Sequence, residues 1–396
     1  MSLFADVPLA PADPILGLTE AFNADPRPGK VNLGVGVYLD EDGKLPLLEC
    51  VRAAEASLGE KPWAYLPIDG LASYNSAVRD LIFGADSAVV AEGRVVTVQS
   101  LGGTGALKIG AGLLAWMRPE AKVLISDPSW ENHRALFSRA GFEVGSYRYY
   151  DPASRGLDLD GMLSDLRAAE PGTIVVLHAC CHNPTGCDPT PQQWDQIIEV
   201  VVQRGLVAFL DMAYQGFGLG LSQDSAAVAK FAAAGCPVLV SSSFSKTFSL
   251  YGERIGSLSV VTASADEAKR LLSQIKIVIR TTYSNPPTHG AALVAHVITT
   301  PGLRTGWETE LGQMRERING LRAQLDAGLR SAGITDMGFI AAQQGMFSYS
   351  GLTRDQMLRL RTEHGVYGLD SGRICVAALN AQNLDQVVNA IAAVRG

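Results

Sequence analysis

Charge is the first thing this chain is short of. Aspartate, glutamate, lysine and arginine supply 18% of its 396 residues, below the usual quarter, so more of the surface is expected to be buried in a core or against another subunit. The net charge is -7 and no long basic run occurs, which argues against nucleic acid or an acidic membrane as the main partner. Any anion site must then be local. Long apolar runs are missing too: stretches such as Thr173 to Cys181 are too short to span a bilayer, and the Ala-rich ones are broken by charges. The opening MSLFADVPLAPADP has neither a basic segment nor a sustained apolar one, so it is not read as a secretory signal and a cytoplasmic location is expected. The six cysteines, Cys50, Cys180, Cys181, Cys187, Cys236 and Cys375, follow no disulfide-framework spacing and are expected to be reduced thiols there. Cys180-Cys181-His182 with Cys187 lacks a C-x-x-C pair or a matching second half, so no metal is expected. Short repeats and low-complexity tracts are also lacking.

What the chain does have is alternation. Strand-like runs fall at Arg94 to Gln99, Lys122 to Ser126, Glu143 to Tyr149, Thr173 to His178, Leu206 to Asp211, Pro237 to Ser242 and Gly256 to Thr262, with helical patterns between them. Thr190-Pro191-Gln192-Gln193 reads as a capping box with proline at the first helical position, and places Trp194, Ile197, Ile198 and Val201 on one face. These features predict an α/β domain with a mostly parallel sheet and helices on both faces, in which ligands sit beyond the carboxyl ends of the strands. From Trp307 to Leu329 apolar residues recur every three or four positions, predicting one long amphipathic helix. It would lead to a smaller α+β domain. The expected division is an N-terminal arm at 1–12, a small domain from 13–45 plus 310–396, and a large domain at 46–309.

Chemistry concentrates in Ser241 to Gly256, SSSFSKTFSLYGERIG. Lys246 sits among small hydroxyls after an apolar run, with Arg254 eight residues on. Partial burial or a nearby cation lowers a lysine pKa and makes its amine a nucleophile, while hydroxyls and an arginine suit a phosphate. Lysine beside a phosphate site suggests pyridoxal phosphate; a solvated lysine in a serine-rich loop is the plain alternative. Gly102-Gly103-Thr104-Gly105, read as a loop between a strand and a helix, suits a small phosphate but matches neither G-x-G-x-x-G nor the P-loop. Asp211 and Tyr214 follow one strand, Asn183 another, and Trp130 and His133 a third. Each has an ordinary structural reading as well: a cap, a turn, a core tryptophan, a hydrogen-bonded histidine.

Together SDPSWENH, HACCHNPTG, DMAYQGF, SSSFSKTFSLYGERIG and YSNPP, in this order, resemble the class I aminotransferases, in particular the bacterial aspartate and aromatic members, over nearly the whole chain. The resemblance implies a fold-type I transferase, a homodimer with shared active sites, and pyridoxal 5'-phosphate held by Lys246 as a Schiff base. It further implies that Asp211 pairs with the ring nitrogen, that Tyr214 and Asn183 contact the 3-oxygen, and that Trp130 stacks on the ring. His133 would support Asp211. Gly103, Thr104, Ser243 and Arg254 would cradle the phosphate, joined by Tyr65 of the neighbouring subunit. For substrate, Arg373 corresponds to the clamp on the α-carboxylate, Arg280 to the reader of a distal carboxylate across the dimer, and Gly36 to a backbone neighbour of the substrate.

The implied reaction is ping-pong transfer of an amino group between aspartate or the aromatics tyrosine and phenylalanine and 2-oxoglutarate, with Lys246 moving the proton. Leucines at Leu39 and Leu45, expected near the pocket, favour the aromatic branch. Rival readings are an aspartate enzyme with little aromatic activity, a lyase or decarboxylase using the same lysine, and a ligand-sensing domain of the same shape.

Overall fold

The structure, a computed structural model, describes residues 2–10, 13, 15–59 and 64–395. Each of the seven apolar runs becomes a strand of one sheet, with ends shifted by a residue or two. From edge to edge these are Val95–Leu101, Ile255–Val261, Val238–Ser243, Val207–Met212, Ile174–His178, Lys122–Asp127 and Glu143–Arg148. Ile255–Val261 runs antiparallel to both neighbours, and every other pairing is parallel. Alternate side chains serve opposite faces, the period-two consequence of a pleated strand. Val175, Leu177 and Leu210 join one apolar cluster, while Ile174, Val176 and Phe209 join a second. Both faces are therefore buried, as a parallel sheet requires.

The capping box forms as expected: Gln193 N donates to Thr190 Oγ1, and the Gln193 side chain accepts from Thr190 N, at the start of Pro191–Gln203. The amphipathic pattern becomes the helix Pro301–Ser331, in which Trp307, Leu311, Met314, Ile318, Leu321, Leu325 and Leu329 are all buried. One expectation is corrected. Gly102 to Gly105 do not form a loop; they are the first turn of the helix Gly102–Met117, which follows the strand directly. Gly102 makes that abrupt turn possible with φ +69°, and a Cβ there would lie 2.5 Å from Arg254 Nη2.

The end of the chain and its beginning pack together. Val31–Asn32 pairs in parallel with Val366–Tyr367, and Leu18 of the first helix, Leu16–Ala24, clusters with Tyr367 and Leu369. Phe347–Tyr349 pairs with Arg373–Cys375, beside the helices Arg354–His364 and Leu384–Arg395. Residues 2–10 of the expected arm are exposed, including Leu3, Phe4 and Leu9; residues 1, 11 and 12 lie outside the described ones. Cys180 and Cys181 come close to Asp224, whose carboxylate is already committed to the backbone N–H groups of Gly216, Gly218 and Leu219.

Candidate active site

Six strands of the sheet end at one edge and the antiparallel seventh begins there. The register sets His178 beside Asp211, Asp211 beside Ser241, and Ser243 beside Gly256. Side chains far apart in sequence thus surround one cavity of about 200 Å³. Its lining includes Gly36, Gly103, Thr104, Trp130, Asn183, Asp211, Tyr214, Ser243, Lys246, Arg254 and Arg373. Tyr65 and Arg280 are not brought to it; both are exposed, Tyr65 by 92%.

The lysine is presented by a braced turn. Phe244 and Phe248 are buried on either side of it, Trp307 stacks on Phe248 at 4.5 Å, and the Trp307 indole N–H donates to Thr247 O at 2.7 Å. Lys246 is left with its Nζ 5.1 Å over the Tyr214 ring. Burial lowers its pKa to about 8, with Arg254 and Arg373 adding to the effect and Asp211 opposing it. A useful fraction of the amine is therefore neutral near physiological pH.

Asp211 is tuned the other way. Burial alone would raise its pKa, but the hydrogen bond from His133, the electrostatic pull of His133 and His178, and the Ser241 hydroxyl outweigh it and leave the carboxyl below its ordinary value. Ser241 Oγ donates to Oδ1 at 2.8 Å, and His133 Nε2 lies 3.1 Å from Oδ2. A carboxylate can only accept, so the proton belongs on Nε2, leaving His133 Nδ1 to pair with Ser129 Oγ at 2.9 Å. The result is a fixed negative charge on the cavity floor.

The same cavity is lined by hydroxyls and a second cation. Arg254 Nη1 donates to Ser245 Oγ at 3.2 Å and to Tyr251 O at 3.0 Å, and Ser243 Oγ donates to Ser245 Oγ at 3.2 Å. The helix beginning at Gly102 aims its free N–H groups into the same space. Arg373 makes a third cation, only 1% exposed, with Nη1 on Asn183 Oδ1 at 3.0 Å and Nη2 on Gly34 O at 2.8 Å; its Nε has no partner. Three cationic side chains thus face a cavity whose lining holds a single carboxylate. Such a site suits a ligand with anionic groups at two places and a positive or proton-bearing atom at Asp211.

Sequence reasoning missed several lining residues: Ile15, His178, Ser245, Tyr251 and Phe347. Ser245 lay inside the serine-rich stretch and its hydroxyl could have been read as part of the cradle. His178, buried with neither ring nitrogen paired, is held near pKa 3 by burial and by His133. Phe347 gave no signal in the sequence. Leu39 and Leu45 are absent from the lining: Leu39 packs against the core and Leu45 is 48% exposed.

A lysine, a buried carboxylate, hydroxyls and an arginine gather at the carboxyl edge of a mostly parallel sheet, a set suited to covalent chemistry on an anionic group. Comparison with known proteins names the class: the family model described as aminotransferase class I and II matches residues 28–391. The chain belongs to that family and is a transaminase, moving amino groups between amino acids and 2-oxo acids. It is 58% identical to an aspartate aminotransferase of Pseudomonas aeruginosa, over 99% of each chain. It is also 48% identical to an aromatic-amino-acid aminotransferase of Escherichia coli, over 99% of this chain and 100% of that one. A crystal structure of an aromatic-amino-acid aminotransferase from Burkholderia pseudomallei, covalently bound to pyridoxal phosphate, superposes with a TM-score of 0.97 at 63% identity, covering 100% of both chains.

Proposed function

We propose that this cavity holds pyridoxal 5'-phosphate on Lys246 and that the enzyme exchanges amino groups among aspartate, tyrosine, phenylalanine and 2-oxoglutarate. The observation that carries the reading is the set of charges brought to one cavity: Arg254 with its neighbouring hydroxyls, the Asp211 carboxylate, and Lys246, whose amine feels both. When bound, the cofactor supplies an electron sink for the substrate's Cα–N bond system. Asp211 keeps the ring nitrogen protonated, and Ser241 and His133 keep Asp211 anionic and aimed. Tyr214 and Asn183 address the 3-oxygen, and Trp130 covers the ring. Gly103, Thr104, Ser243, Ser245 and Arg254 hold the phosphate. Lys246 Nζ would be the attachment point for the cofactor and the base that takes up the substrate Cα proton.

Arg373 takes the α-carboxylate by a paired contact, next to Gly36. Tyr65 and Arg280, remote from this chain's own cavity, serve the site of a second copy in a cytoplasmic homodimer, Tyr65 at the phosphate and Arg280 at a distal carboxylate. Residues 13–45 with 310–396 form the small domain, supported by the pairing of Val31–Asn32 with Val366–Tyr367; 46–309 form the large one. The relatives carry both aspartate and aromatic names, which supports dual use.

Purified protein mixed with the cofactor should gain a visible absorbance band that Lys246→Ala lacks. With 2-oxoglutarate as acceptor it should transaminate both aspartate and phenylalanine. No band removes the cofactor assignment, and phenylalanine turning over on the order of a thousandfold more slowly than aspartate, about 4 kcal/mol of discrimination, removes the aromatic half.

A further inference from the structure

Arg322 has no part in the site described above, yet it is among the most completely buried charges of the chain, only 1% exposed. It projects from the helix Pro301–Ser331, and among the described residues no carboxylate forms an ion pair with it. What surrounds it instead is a cage of oxygen atoms from one short segment. Nη2 donates to Gly345 O at 2.6 Å and to Phe347 O at 2.5 Å, while Nη1 donates to Ser348 Oγ at 2.5 Å and to Ile340 O at 3.4 Å. Burying a guanidinium among neutral carbonyls is costly. An apolar side chain there would avoid that cost but leave the Gly345 and Phe347 carbonyls without their donor, so Arg322 ties the position of this segment to its own.

The segment it holds leads to the substrate arginine. The Phe347 ring lies under Arg373, 4.3 Å from centroid to guanidinium carbon, and meets the Tyr214 ring edge-on at 5.8 Å. Phe347–Tyr349 is also the strand paired with Arg373–Cys375, with Tyr349 opposite Arg373 itself. On its other side the segment touches the turn carrying Asn183, the second partner of Arg373: Gln344 N donates to Gly186 O at 2.7 Å, and a Cβ on Gly186 would come within 3.1 Å of Phe347 O. Ring, strand and turn are therefore all in contact with residues 343–349. A cation–π contact and a bidentate clamp both depend steeply on geometry.

We propose that Arg322 is a positioning residue for substrate binding: by fixing Gly345, Phe347 and Ser348 from behind, it sets the orientation in which Arg373 receives the α-carboxylate. The proposal rests on the reading of Arg373 given above. The test uses holoenzyme carrying Arg322→Met, Arg322→Lys or Arg373→Lys, with aspartate and phenylalanine as donors. Arg322→Met should raise KM for both donors on the order of tenfold, with a much smaller change in kcat. The cofactor's absorbance and its pH titration should stay as in the unsubstituted enzyme, because Lys246, Asp211 and Arg254 are outside the cage. Arg322→Lys keeps the charge but cannot reach several acceptors in a fixed fork, so it should recover only part of the loss.

A lowered Tm with unchanged KM in Arg322→Met overturns the proposal and makes Arg322 a stabilising residue only. If Arg373→Lys leaves KM unchanged, the α-carboxylate assignment itself fails, and with it any action through Arg373. If Arg373→Lys raises KM and Arg322→Met does not, only the positioning role fails. Should Arg322→Met not fold, Ser348→Ala removes one acceptor and carries the same test, with a smaller rise in KM expected and no rise overturning the proposal.

Discussion

At the scale of single residues, the site works by giving two side chains opposite protonation tendencies within one cavity. Lys246 is pushed toward its neutral form, to about 8 from 10.5, while Asp211 is held anionic in spite of its burial. The lysine shift has a measurable cost in the cofactor-free protein. Its folded pKa is lower than its unfolded one, so the unfolded chain binds more protons and stability from this group rises with pH between about 8 and 10.5. Below that window the penalty is fully present. Lys246→Met should therefore stabilise the cofactor-free protein at pH 7 by about 3 kcal/mol. That gain should shrink as pH rises through the window, read as the difference between the two denaturation midpoints. A gain that does not vary between pH 7 and 10 would mean that packing, not charge burial, accounts for it.

At the scale of elements, the legible parts were those in which local pattern and tertiary role agree. The seven strands are short apolar runs bounded by polar turns, and the helix Pro191–Gln203 carries both its apolar face and its cap in sequence. Thr190→Ala removes that cap at an exposed position. It should cost about 1 kcal/mol in urea unfolding and leave kcat unchanged; a loss of activity at full occupancy of cofactor would show that the helix is coupled to the site. Where sequence misled, the cause was a competing signal. Four residues with three glycines read as a loop, but the chain passes from strand straight into helix because Gly102 alone makes the turn. Phe347 gave no signal, because an aromatic in an apolar strand gives no hint of what its ring faces. Arg322 carries no signal in the sequence, since only the path of the chain after the helix reveals the carbonyls that receive it. The charged and hydroxyl residues around Lys246 were legible because strand ends announce the edge on which they gather.

At the scale of the whole molecule, exposed groups are the informative ones. Tyr65 and Arg280 are exposed and do not line the cavity of their own chain, and the proposed dimer gives them a destination. Mixing two inactive variants tests this. If Arg280 serves the partner's site, a dimer of Lys246→Ala with Arg280→Asp contains one doubly damaged site and one intact one. Co-expression should then restore roughly a quarter of the normal aspartate activity for randomly paired chains. No restoration would place Arg280 in its own chain's site or in none.

The helix Pro301–Ser331 bears on all three scales. Trp307 fastens it to the lysine turn and Arg322 to the segment behind Arg373, and the fifteen residues separating them span roughly 22 Å at 1.5 Å each. A rigid rod fixed at one end is a lever. Tilting it by about 5° about Trp307 displaces Arg322 by roughly 2 Å at that rise per residue, more than a hydrogen bond tolerates. The angle of one rod therefore sets how far the lysine turn lies from the segment behind Arg373.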